Sequence, residues 1–250
     1  MDHLGVILLG AALAAFVQGL SGFGYAMTAV SIWAWVLDPR LTATLGVFGA
    51  LAGQVFTMIT TRRGFGWRAV MPFLLGALVG LPLGLWLLPR MDIPLYKAVL
   101  GTVLVITCPL MFFATRIPKV THGGRVADGV AGAIGGVMGG LGGSTGVVPT
   151  LWCTLRGFDK DEQRSVIQNF NLASLAATFA AYVGTGIVTR DMLPIFALVV
   201  PAIILPSLLG RRMYLGISEL GFRKVVLGLL TLSGVAMLGS SLPVLLSRGS

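Results

Sequence analysis

The sequence predicts an all-α, polytopic membrane protein, and three observations carry that prediction. The chain of 250 residues is 56% hydrophobic and only 11% charged, with a mean hydropathy of +0.91. It divides into eight apolar blocks, each at least about as long as the roughly 20 residues that a membrane-spanning helix needs. Segments of the first half also match segments of the second half at a nearly constant spacing. Soluble domains of this length are far more polar, so that class is excluded.

We predict a single membrane domain built from two repeats, residues 1–120 and 121–250. Each repeat begins with a block of 30 residues or more that a glycine cluster interrupts, and three helices follow. In the first repeat the broken block covers 4–37 and the helices cover 41–60, 69–88 and 95–115. In the second repeat the broken block covers 126–155 and the helices cover 165–188, 192–210 and 222–246.

Three matches between the halves, in the same order along the chain, predict this duplication. The matched segments are Gly19 and Leu20 with Gly140 and Leu141 at an offset of 121, Pro72 and Arg90 with Pro194 and Arg212 at an offset of 122, and YKAVLG at 96–101 with RKVVLG at 223–228 at an offset of 127. Similar offsets favour a repeated unit of about 120 residues. Chance similarity between apolar segments is the alternative.

The basic residues indicate how the broken blocks meet the membrane. If all eight blocks cross, the 18 Lys and Arg residues divide 8 against 10, which gives no orientation. If the two broken blocks instead enter and leave on one face as hairpins, 5 lie on one side and 13 on the other. Because positively charged loops stay cytoplasmic, the hairpin topology puts both termini outside. It leaves three crossings in each repeat, so the repeats are inverted.

The glycine clusters QGLSGFG at 18–24 and GAIGGVMGGLGGSTGVVP at 132–149 are the candidate functional site. Glycine disfavours a continuous helix, and irregular backbone at membrane depth is tolerated only inside protein or around a watery cavity. Half-helices that end there point unpaired N–H groups at the cavity, where they favour a small oxyanion. The alternative is that the glycines only let helices pack closely.

Amide side chains extend the candidate site beyond the glycine clusters. Gln168, Asn169 and Asn171 open the sixth block, and amides are costly against lipid, so we expect Asn169 and Asn171 to face protein or the cavity. Each amide could equally bond to broken-helix backbone. The full set of candidate substrate-binding residues is Gln18, Ser21, Gly22, Gly24, Gln54, Gly142, Gly143, Ser144, Thr145, Asn169 and Asn171.

With these motifs in view, the chain resembles the TauE/SafE family of sulfite exporters and related membrane permeases over essentially its whole length. The resemblance rests on QGLSGFG, on GGLGGSTGVVP at 139–149 and on the eight apolar blocks. It implies movement of a small sulfur-containing anion, such as sulfite, sulfoacetate or another organosulfonate, across a bacterial inner membrane. The glycine motifs are far less specific for the substrate than for the family.

Several chemistries are not supported by the sequence. Acidic residues and histidines lie only near block ends or in loops, which does not favour a proton relay through a side chain inside the core. Cys108 and Cys153 are isolated in apolar segments, and the charged segment 156–164 is predicted to be a solvated loop. The basic residues lie in short loops, which fits lipid headgroups better than nucleic acid. We therefore expect no catalytic residue, metal or cofactor.

The leading hypothesis is a permease that works by alternating access, with a small anion and membrane lipid as its partners. An anion channel of the same architecture is the first alternative, since every sequence feature used here would be shared. An intramembrane enzyme or thiol carrier is the second, and it lacks a nucleophile paired with a base. The sequence leaves substrate, direction, coupling ion and oligomeric state open.

Overall fold

A computed structural model of the chain describes residues 3–21, 24–61, 67–114, 119–120, 122–213 and 219–249. These residues form α-helices and two short 3₁₀ turns, with no strand among them. In chain order the helices are α1 (Leu4–Ser21), α2 (Tyr25–Trp33), α3 (Pro39–Thr61), α4 (Trp67–Leu87), α5 (Ile93–Phe113), α6 (Gly124–Gly142), α7 (Val147–Arg156), α8 (Lys160–Gly184), α9 (Leu193–Met213) and α10 (Glu219–Gly249).

Within the described residues, six helices are long and apolar enough to cross a membrane, and they come from α3, α4, α5, α8, α9 and α10. They are the helices predicted to follow the broken block in each half. The protein is therefore an all-helical, multi-pass membrane protein. Helix α1 is a shorter apolar helix over Leu4–Leu20, and α2, α6 and α7 are not among the spanning candidates.

Both glycine-interrupted blocks form two helices whose outer ends lie side by side. The indole Nε1 of Trp33, at the end of α2, donates to the carbonyl of Val6 at the start of α1. In the second block, Arg156 at the end of α7 pairs with Asp128 near the start of α6 at 2.8 Å. The chain thus turns back on itself at each break. The long arms have 18 and 19 residues and the short arms 9 and 10.

Most of the glycine run at 132–149 is helical, which corrects the expectation that it would be irregular. Helix α6 continues through Gly142, and only residues 143–146 leave the helix. The reason is packing: a Cβ added to Gly132 or Gly136 would overlap the backbone of α4 at Phe73 or Ala77. Close backbone contact of this kind offsets the poor helix propensity of glycine. Close helix packing, which was the alternative to a functional break, therefore explains the glycines in the first part of the run.

The helix contacts of the first half are repeated in the second half when α1–α5 are matched in order with α6–α10. Helix α1 packs on α9, and their counterparts α6 and α4 pack on each other in the same way. Helix α5 packs on its own counterpart α10, and α3 packs on its own counterpart α8. Helices α3 and α8 each contact several other helices, and both are half or more buried within their spanning segments.

The charged segment 156–164 is not a single solvated loop, contrary to the sequence prediction. Helix α8 begins at Lys160, because the Asp159 side chain accepts hydrogen bonds from the backbone N–H groups of Asp161 and Glu162. Side chains of this type at the N-cap satisfy donors that the first helical turn leaves free. Arg156 is also tied to the buried Asp128, whose carboxylate accepts a further hydrogen bond from the Trp152 indole at 2.7 Å. Only residues 157–159 connect the two helices.

Candidate functional site

A small cavity lies where the two chain breaks meet α3 and α8. Its lining comes from both halves of the chain and consists of Gln18, Gly24, Tyr25, Ala26, Met27, Ala50, Gln54, Gly143, Ser144, Thr145, Gly146, Val147, Asn171 and Leu175. Ala50 is the central residue of α3, and Asn171 lies close to the middle of α8. The cavity therefore sits halfway along two candidate membrane spans.

The start of α2 forms one wall of the cavity. Gly24 precedes the helix with a φ of 93°, a left-handed conformation that glycine adopts readily, and no side chain caps the helix there. The first intrahelical bond runs from the Thr28 N–H to the Gly24 carbonyl, so the N–H groups before Thr28 have no partner within the helix. Those N–H groups belong to the residues that line the cavity.

The start of α7 forms another part of the cavity wall. Gly143 has a φ of 82° and ends α6, and its N–H donates to the carbonyl of Gly139. The chain then passes through residues 144–146 into α7, which also has no side-chain cap. Two helix N-termini thus border one cavity, and each carries a partial positive charge of roughly half an elementary charge.

Two buried polar side chains at the cavity have unused hydrogen-bonding atoms. Gln18 is 5% exposed and Tyr25 is 1% exposed. Among the described residues, neither the Oε1 atom of Gln18 nor the hydroxyl of Tyr25 has a hydrogen-bond partner. Buried polar groups without a partner are uncommon and costly, so each one calls for a ligand or water.

Glycines on one face of α3 make room for the elements of the site. A Cβ on Gly53 would overlap the Gln18 amide, and a Cβ on Gly49 would overlap the Tyr25 ring. At Gly46 a Cβ would lie 2.7 Å from the carbonyl oxygen of Gly142. Positions 46, 49 and 53 lie on the same helical face because they are three and four residues apart. Helix α3 therefore supports the tips of both breaks.

Two hydrogen bonds tie the cavity wall together. The Gln54 amide of α3 donates to the carbonyl of Gln168 on α8 at 3.0 Å, which links the two halves of the chain. The Thr145 hydroxyl donates to the Asn171 side-chain oxygen at 3.0 Å. Both contacts fix side chains rather than leave them free for a ligand, so these residues shape the cavity as well as line it.

The chemistry of the lining is neutral and rich in donors. Among the described residues that line the cavity, none is Asp, Glu, Lys, Arg or His. The available donors are backbone N–H groups and the hydroxyls of Tyr25 and Ser144, whereas the unused Oε1 of Gln18 is an acceptor. Such a site suits a small anion that accepts several hydrogen bonds.

Comparison with protein families identifies the chain. A family model described as sulfite exporter TauE/SafE matches residues 7–237. The chain belongs to this family. The predicted resemblance is thereby confirmed, and this TauE/SafE member is a membrane protein of a transporter family. Comparison with curated proteins and with solved structures gave no match.

Most of the residues proposed from the sequence come together at the cavity of this TauE/SafE member. Those that line it are Gln18, Gly24, Gln54, Gly143, Ser144, Thr145 and Asn171. Gly142 and Asn169 do not line it: Gly142 packs near the Tyr96 hydroxyl, and Asn169 is buried at 3% exposure. The Ser21 side chain and Gly22 lie outside the described residues.

Outside the two glycine clusters, sequence reasoning missed five lining residues: Tyr25, Ala26, Met27, Ala50 and Leu175. Tyr25 follows directly on the first glycine cluster, so its position next to the break was a usable signal. Ala50 has no chemical signal of its own. The glycines at 46, 49 and 53 could have identified the face of α3 that meets the site, since their spacing is that of a closely packed helix.

Proposed function

We propose that this TauE/SafE member is a permease that moves a small sulfur-containing anion, such as sulfite, sulfoacetate or a related organosulfonate, across the inner membrane of a bacterium. One observation carries the proposal. The N-termini of α2 and α7 and the partnerless hydroxyl of the buried Tyr25 border the same cavity, halfway along α3 and α8. The sulfur chemistry of the substrate comes from the family, and the anionic preference comes from the donors of the cavity.

The proposed site lies between two inverted repeats. Five pairs of lining residues are separated by an offset of 121, which is the offset of the first match found in the sequence. The pairs are Gly24 with Thr145, Tyr25 with Gly146, Ala26 with Val147, Ala50 with Asn171, and Gln54 with Leu175. A cavity lined by equivalent positions of both halves supports a site on a pseudo-two-fold axis, which is the usual arrangement in transporters with inverted repeats.

The ends of the helices support hairpins rather than crossings at the two breaks. With eight crossings, Asp92 and Arg248 would lie on opposite faces of the membrane, whereas with hairpins they share a face. The Arg248 guanidinium forms an ion pair with Asp92. Likewise, the Val120 N–H donates to the Leu155 carbonyl at 2.8 Å, although eight crossings would separate those residues. We therefore propose the hairpin topology. We also propose that transport proceeds by alternating access, in which one repeat moves relative to the other.

Transport is tested with purified protein in liposomes and labelled sulfite. We expect faster uptake than in protein-free liposomes, and we expect Tyr25→Phe to lower uptake at low substrate about tenfold or more. A hydrogen bond to a charged group contributes about 1.5–3 kcal/mol, and 1.4 kcal/mol is a factor of ten.

Thr231→Val is the matched control, because the Thr231 hydroxyl donates to the Leu227 carbonyl within α10 and is not part of the cavity lining. Uptake no faster than in protein-free liposomes, for sulfite and for organosulfonates alike, would refute the permease. Counterflow separates a carrier from a channel: preloaded unlabelled sulfite accelerates labelled uptake only in a carrier.

The topology is tested by labelling single cysteines in a chain that carries Cys108→Ala and Cys153→Ala. His3 and His122 are both exposed, so each can be replaced by cysteine in turn. We expect a membrane-impermeant thiol reagent to label the two positions from opposite sides, with position 3 outside. If both positions react from the same side, the hairpin topology is wrong.

A further inference from the structure

Two tyrosine hydroxyls bind the last carbonyls of α6, just before the break at the cavity. The Tyr96 hydroxyl of α5 donates to the Leu141 carbonyl at 2.9 Å, and the Tyr182 hydroxyl of α8 donates to the Gly140 carbonyl at 2.8 Å. Both tyrosines are essentially fully buried, at 1% and 0% exposure. Neither lines the cavity; both contact α6 instead.

The carbonyls that these tyrosines bind belong to the C-terminus of a helix. The last four carbonyls of a helix lack partners within it and carry a partial negative charge of roughly half an elementary charge. In α6 the Gly139 carbonyl accepts a hydrogen bond from the Gly143 N–H. The tyrosines engage the next two carbonyls, and all of them lie within four residues of Gly143, which lines the cavity.

A broken helix brings opposite partial charges to one place. The N-terminus of α7 favours an anion, whereas the C-terminus of α6 favours a cation, and exposed carbonyls at such breaks can coordinate a cation. A donor placed on those carbonyls removes their preference for a cation. The two tyrosine hydroxyls are such donors, and they come from different helices, which also fixes where α6 ends.

We propose that Tyr96 and Tyr182 are positioning residues that make this break selective for anions, because they occupy the α6 carbonyls that would otherwise attract a cation or repel the substrate. The inference deepens the proposed function and rests on its anionic substrate. It also distinguishes the two halves. The position equivalent to Tyr182 in the first half is Thr61, at an offset of 121. The position equivalent to Tyr96 in the second half is Ile217 at an offset of 121 or Arg223 at an offset of 127, so neither tyrosine is repeated.

Thermal unfolding of the purified protein tests this inference without requiring transport. The midpoint is measured against sodium sulfite or sodium sulfate, with gluconate keeping the ionic strength constant. We expect these anions to stabilise the unsubstituted protein. In Tyr96→Phe and in Tyr182→Phe we expect the half-saturating anion concentration to rise about tenfold, since a buried acceptor loses its donor.

The double variant, which combines Tyr96→Phe with Tyr182→Phe, provides a measurement that a purely structural role of the two tyrosines would not affect. The unfolding midpoint is compared in sodium and in N-methylglucamine buffers that contain no sulfite. We expect sodium to raise the midpoint of the double variant and to leave that of the unsubstituted protein unchanged. Thr102→Val is the control, since this exposed hydroxyl on α5 donates to the Ala98 carbonyl of its own helix. Because the tyrosines lie on different helices, failure of one variant to fold leaves the other as the test, and the sodium comparison is then made on that single variant.

The outcomes separate the inference from the proposed function. Unchanged anion affinity in both tyrosine variants overturns the inference, and so does weaker affinity without stabilisation by sodium. Anion stabilisation of the unsubstituted protein without flux in liposomes refutes the permease and leaves the anion site. If neither sulfite nor sulfate stabilises the unsubstituted protein, the anion site and the tyrosine inference both fail.

Discussion

Gly143→Ala is expected to abolish sulfite uptake while leaving most of the helical structure intact. Gly143 has a φ of 82°, a conformation that costs an L-residue about 1–2 kcal/mol. Its Cβ would also lie 3.0 Å from the Val47 Cα and 3.2 Å from the Gly46 carbonyl carbon, so the tip of the break would have to move away from α3. Displacing the donors of the cavity by about 1 Å can cost a hundredfold in rate. Initial rates of labelled sulfite uptake measure the effect.

The control for this prediction is Gly228→Ala. Gly228 lies within α10, and a Cβ there would meet no atom within 4 Å. Since alanine favours a helix over glycine by about 1 kcal/mol, this variant should be as stable as the parent and transport equally well. Normal uptake by Gly143→Ala would show that the tip of the second break is not part of the transport site.

The second large effect is expected from Gly132→Ala combined with Gly136→Ala, which should prevent α4 and α6 from packing. A Cβ on Gly136 would lie 2.8 Å from the Ala77 carbonyl carbon, and a Cβ on Gly132 would lie 2.7 Å from the Phe73 carbonyl carbon. Both obstacles are backbone atoms, which cannot rotate away as a side chain can. Overpacking of this kind typically costs about 1–3 kcal/mol at each site. We expect a sharp fall in the yield of monodisperse protein and in its unfolding midpoint.

The matched control lies on the same helix. A Cβ on Gly129 would be 3.6 Å from the Pro72 carbonyl oxygen, which is an ordinary van der Waals contact. Gly129→Ala should therefore keep the yield and midpoint of the parent. Equal behaviour of the double variant and Gly129→Ala would mean that glycines at α4 and α6 are not required for close packing.

The all-helical, membrane-spanning class was predictable because hydropathy and length depend only on local composition. The six candidate spans correspond to the six uninterrupted blocks, although α8 begins at Lys160 rather than at 165. Asp159 accounts for that difference. Its side chain caps a helix start, a signal that a search for apolar residues overlooks.

Part of the candidate site was also predictable, because glycine clusters and amides are unusual in apolar segments. Gln18, Gln54 and Asn171 were chosen on that ground, and all three line the cavity. Asn169 was chosen on the same ground and does not line it. A helix turns by about 100° per residue, so neighbours two residues apart face different partners, and only the packing of α8 selects which of them meets the cavity.

By itself, the sequence determined that this is a helical membrane protein of the TauE/SafE family with two glycine-rich breaks, because hydropathy, glycine content and family motifs are properties of the chain alone. Only the tertiary structure decided which glycines serve packing and which serve the break. Gly132 and Gly136 face the backbone of α4, whereas Gly143 and Gly146 belong to the loop at the cavity. The tertiary structure also brought the hydroxyls of Tyr96 and Tyr182 onto α6 from distant helices. The physical reason is that a glycine or a tyrosine acts through the atoms that approach it, and those atoms come from other parts of the chain.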